Sequence, residues 1–105
     1  MWLLSVKPSS RKDKRYTATF CLCEKKNQCE GSNHKQTSFG DPTATTYADG
    51  ASEEKKKAYL ARHSKLKGSD FNKPTTAASL ARYLLWGEYR SLRENIKAFK
   101  KKFSL

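Results

Sequence analysis

The spacing of apolar residues changes period once along this chain, and that change constrains the fold more than any other feature. Tyr16, Ala18, Phe20 and Leu22 alternate with Thr17, Thr19, Cys21 and Cys23, the period-two pattern of a half-buried strand rich in β-formers. Trp2, Leu4 and Val6 alternate more weakly before Pro8-Ser9-Ser10, and Lys35–Phe39 returns before Gly40-Asp41-Pro42. From residue 52 onward the period lengthens. Ser52 precedes Glu53 and Glu54, a helix start with acid at its positive end. That helix is expected to run to about Lys65, with Tyr59, Leu60 and His63 as its apolar side. Thr75 or Thr76 caps a second helix ending at Gly87, whose Ala77, Leu80, Ala81, Leu84 and Leu85 follow core-facing spacing. Ser91 and Glu94 form a capping box for a third, with the stripe Leu92, Ile96, Phe99 and Phe103.

Strands first and helices after them predict an α+β fold. We expect one domain over residues 1–105. It comprises a three-stranded antiparallel meander within 1–40 and a three-helix part within 52–103. At 105 residues, such a domain buries about two-thirds of the surface its unfolded chain exposes. With 36% hydrophobic residues, its core is expected to be thin.

Charge bears most directly on function. Twenty-two Lys and Arg stand against ten Asp and Glu, a formal net charge of +12. The first 52 residues carry eight basic and five acidic groups, and the remaining 53 carry fourteen and five. A field of that sign attracts phosphate backbones, anionic lipid and acidic protein faces. The predicted helices and the turn before the third put Lys55, Lys56, Lys57, Arg62, Lys65, Arg90, Arg93, Lys97, Lys100, Lys101 and Lys102 forward as the partner-binding surface. Tyr59, Tyr83 and Tyr89 lie among these cations and could stack on bases, although aromatics at helical spacing more often belong to a core.

Chemistry finds little foothold. Glu24, Glu30, Asp41, Asp49, Asp70, Glu88 and Glu94 are scattered over expected loops and helix ends, and none pairs for acid–base work. His34 and His63 lie in different halves, and five glycines include no phosphate loop. Cys21, Cys23, Cys29 and His34 supply four zinc-capable groups within fourteen residues. Their C-x-C start is unlike the usual C-x2-C to C-x4-C pairs, so no metal and no cofactor are expected. Three clustered cysteines do not form a secreted disulfide framework. The apolar start Met1–Val6 is too short for a signal-peptide core, so we expect synthesis inside the cell without export.

Phe39-Gly40, Tyr59-Leu60-Ala61-Arg62-His63 and Leu84-Leu85-Trp86 together carry a resemblance that spans roughly residues 14–103. The chain resembles a family of small basic proteins encoded by large double-stranded DNA viruses of algae and amoebae. In that family a β-hairpin ends in Phe-Gly, a basic helix with an R-Y-x-x-R-H-like signature follows, and a later segment ends in L-L-W. The family's aspartate–tyrosine stretch before the helix is represented here only by Tyr47. The resemblance implies a viral setting and no enzymatic activity. In that setting we expect a minor capsid protein in the virion, meeting capsid proteins of the same virus and passing through the host cytoplasm during assembly. Nucleic acid or an anionic membrane surface is the alternative partner, and no small-molecule substrate is expected.

Overall fold

The computed structural model describes residues 1–25, 33–64 and 73–105, with His63 and Ser64 described by backbone alone. Three strands, β1 (Trp2–Pro8), β2 (Tyr16–Cys21) and β3 (His34–Phe39), form an antiparallel sheet in the order β1-β2-β3. Helices α1 (Glu53–Ser64), α2 (Ala77–Leu80) and α3 (Leu92–Phe103) follow. The α+β architecture agrees with the change of period in the sequence.

Register decides which side chains meet the helices. Leu3 pairs with Phe20, Val6 with Ala18, and Ala18 with Thr37, so alternate residues of all three strands share one face. A register shift between Leu3 and Ser5 lets β1 keep both Leu3 and Val6 on that face. The opposite face is polar: the Thr17 and Ser38 hydroxyls lie 3.0 Å apart, and Gln36 Nε2 donates to Thr19 Oγ1 at 3.3 Å. Beyond the last ladder pair, Cys21 with His34, the alternation stops being enforced. Leu22, expected beside Phe20, lies past that pair and is 50% exposed, whereas Cys21, expected on the polar face and paired within the ladder, is buried.

Leu3, Ala18, Phe20 and Phe39 of the sheet join Leu80, Leu84, Leu85 and Phe99 of the helices in one core, so sheet and helices share their buried surface. The stripe expected on the second helix is present, but its backbone is not one regular helix. After α2, whose Ser79 N–H is capped by Thr76 Oγ1 at 3.1 Å, residues Ala81–Leu85 widen into a π turn. The chain then turns at Gly87. A Cβ there would lie 2.3 Å from the Tyr83 carbonyl oxygen and 2.7 Å from Asn95 Oδ1, so no side chain fits.

Asn95 explains how that turn is held. It is 2% exposed, and its amide nitrogen donates to the carbonyls of Leu84 and Tyr89, both at 2.9 Å. Its oxygen accepts from Tyr89 N–H at 3.0 Å. One side chain of α3 thereby satisfies backbone groups on either side of the turn. Ser91 Oγ accepts from Glu94 N–H at 3.4 Å, whereas the Glu94 carboxylate faces Lys97 Nζ at 3.7 Å instead of closing the expected capping box. At the other end of α3, Ser104 adopts φ 56° and Leu105 N–H bonds to the Lys100 carbonyl, folding Leu105 into the core.

Candidate functional site

The basic residues singled out in the sequence mostly stand in solvent. Lys55, Lys57 and Arg62 of α1 are exposed, as are Arg90 and, on α3, Arg93, Lys97, Lys101 and Lys102; Lys56 and Lys100 are half-buried. Lys65 lies outside the described residues. Among the described residues, Lys97 alone of this set has an ion-pair partner, Glu94.

Tyr47 links the two basic helices. Its ring is buried in the short 3-10 turn Tyr47–Asp49. Lys56 Nζ sits 4.3 Å from the ring centroid, and the Arg90 guanidinium carbon sits 4.6 Å from it. One aromatic thus gathers a cation from α1 and another from the turn before α3. Its hydroxyl donates to Glu53 at the start of α1.

That turn is tied in turn to the sheet. Asp49 receives a two-pronged ion pair from Arg15, and Thr46 donates to it from its backbone N–H at 3.0 Å and its hydroxyl at 2.8 Å. The Arg15 guanidinium, followed by the Thr46 donors, holds the Asp49 carboxyl well below the ordinary carboxylate range. This carboxylate has its acceptor sites filled by structural donors, which suits a strut better than an acid–base catalyst.

The three motif segments, far apart in sequence, meet around one open cleft of about 660 Å³. Gly40, Tyr59, Arg62, Leu85 and Trp86 all line it. Tyr59 lies flat on Trp86, with centroids 4.6 Å apart and planes at 9°. Gly40 has φ +86°, and a Cβ there would come within 2.9 Å of Leu85 Cδ1. Burial pushes the Tyr59 phenol up to about 12, leaving it neutral near pH 7.

The aromatics considered for base stacking are largely committed to packing. Tyr59 is 6% exposed and stacked on Trp86. Tyr83 is half-buried, its centroid 6.2 Å from that of Phe99 and 5.7 Å from that of Phe103. Tyr89 is 47% exposed.

The four zinc-capable residues do not share one environment. Cys21 is buried and disulfide-bonded, which removes it as a thiolate; Cys23 is half-buried and His34 is exposed. Cys29 lies outside the described residues. Among the described residues, no group of three or more His, Cys, Asp and Glu is placed to hold a metal ion. No helix among them is long and apolar enough to cross a membrane.

Sequence reasoning passed over Arg15 with Asp49, Asn95, and the pairing of Arg82 with Lys102 at Tyr83. The first pair is separated by 34 residues and carries no local pattern. Asn95 was detectable only as a polar residue interrupting an apolar stripe, one position before Ile96.

No curated protein and no solved structure matches this chain. A family of unknown function (DUF5754) matches residues 4–63, which include most of β1, all of β2 and β3, Tyr47, Asp49 and most of α1. That span exceeds half of the 105 residues, and the chain belongs to the DUF5754 family.

Proposed function

We propose that this chain works by docking and catalyses no reaction, as a minor capsid protein of a large icosahedral double-stranded DNA virus. Its basic helices seat on acidic faces of capsid proteins or of the inner shell, during assembly in the host cytoplasm. The observation that carries this reading is the division of roles on the helices. Among the described residues most cations of α1 and α3 stand in solvent and only Lys97 is ion-paired, while two of the three candidate stacking rings are packed inward. Such a surface offers charge to a partner and few rings to a base. The viral setting rests on the sequence resemblance.

The test is a salt wash of virus particles purified from the natural source. The screening length shrinks from about 10 Å at 0.1 M salt to about 3 Å at 1 M. The chain is expected to be present in particles and to leave otherwise intact shells as salt rises. Retention through about 1 M salt would mean that apolar burial holds it. Absence from particles, with co-purification on nucleic acid from infected cells, would favour the nucleic-acid reading instead.

A further inference from the structure

A second, smaller cavity of about 220 Å³ lies between the π turn and α3. Arg82, Tyr83, Gly87, Glu88, Phe99 and Lys102 contribute to its lining. Two cations from different elements meet there at one ring. The Arg82 guanidinium carbon is 5.1 Å from the Tyr83 centroid, and Lys102 Nζ is 5.3 Å from it. Arg82 Nη1 donates to the Trp86 carbonyl at 2.9 Å, which fixes the guanidinium and leaves its other N–H groups for a ligand. Among the described residues, neither cation is ion-paired, although Glu88 lines the same cavity.

Two like charges held beside one half-buried ring repel each other. A carboxylate placed between them relieves the repulsion and completes the guanidinium fork. We propose that this cavity is a socket for one Asp or Glu side chain of an acidic protein segment, gripped by Arg82 and Lys102. The inference rests on the docking reading above and gives it a defined anchor, adding Arg82 to the basic residues put forward as the partner-binding surface.

The probe is an end-blocked hexaglutamate peptide, titrated into the full chain and followed by amide NMR at about 50 mM salt, where surface charge is weakly screened. Saturable shifts are expected at Gly87 and Ala98. Lys102→Gln is expected to weaken binding about fivefold or more, because it removes a cation from the socket. Lys35→Gln, which deletes the same charge from an exposed position on β3, is expected to weaken it less than about twofold. Lys102 is exposed, so its substitution leaves the core intact; Arg82→Lys keeps the charge while losing the fork, and is expected to fall between the two. Equal losses from Lys102→Gln and Lys35→Gln would overturn the socket while leaving electrostatic docking in place. Inorganic phosphate shifting Gly87 and Ala98 where hexaglutamate does not would overturn the carboxylate assignment. No hexaglutamate binding at any position would overturn both the socket and the docking reading.

Discussion

Replacing Asn95 by Asp exchanges one NH2 for an oxygen, yet it attacks the side chain that braces both sides of the turn between the π segment and α3. In the native chain the Asn95 nitrogen donates to the Leu84 and Tyr89 carbonyls, and its oxygen accepts from Tyr89 N–H. Aspartate retains the acceptor. It loses both donors, and an ionised carboxylate then faces two carbonyl oxygens at a position only 2% exposed. A hydrogen bond is worth about 0.5–1.5 kcal/mol net, and a buried charge without a partner costs about 3–5 kcal/mol. We therefore expect Asn95→Asp to lose about 3–5 kcal/mol near pH 7, a large part of the 5–15 kcal/mol typical of a domain. Urea unfolding followed by circular dichroism reads this directly. The pH dependence supplies a second check. Burial raises the folded-state pKa of the introduced carboxyl above its unfolded value of about 4, so the penalty grows as pH rises between the two. The deficit should narrow as pH falls toward about 4, where the carboxyl is neutral and can donate one hydrogen bond. A loss below about 1 kcal/mol, or one that does not vary with pH, would refute the bracing role of Asn95.

Two further outcomes follow from the packing and the ion pair. Phe99→Ala empties a site that is 1% exposed and ringed by Tyr83 and Phe103, and should cost about 3–5 kcal/mol in the same urea assay; an unchanged midpoint would place Phe99 outside the core. Asp49 has a folded-state pKa depressed below its ordinary 3.8 by Arg15 and Thr46, so its contribution is full above that value and is lost as pH falls through the folded one. The acid-side fall in melting temperature should therefore be shallower in Asp49→Asn than in the native chain, and parallel curves would assign the fall to other carboxylates.

What the sequence determined by itself is what repeats locally. Alternation over Tyr16–Phe20 reflects the two-residue period of a strand, and the spacing of Leu80, Leu84 and Leu85 reflects the turn of a helix; both identified buried residues before any contact was known. Ser91 and Thr76 marked helix starts because their caps act across three residues. The basic face of α3 was legible for the same reason.

Tertiary structure decided everything that depends on residues distant in sequence. Alternation specifies neither the exposure of Leu22, one residue beyond the β2–β3 ladder, nor the burial of Cys21 within it. Widening of the second helix at Ala81–Leu85 accompanies a turn that has no room for a Cβ at Gly87 and is braced by Asn95 from the next helix. The meeting of Gly40, Tyr59 and Trp86 around one cleft, and of Arg82 and Lys102 at one ring, likewise arises only when sheet and helices close on a common core. Charges and rings act over a few ångströms in space, whereas sequence patterns report only neighbours along the chain.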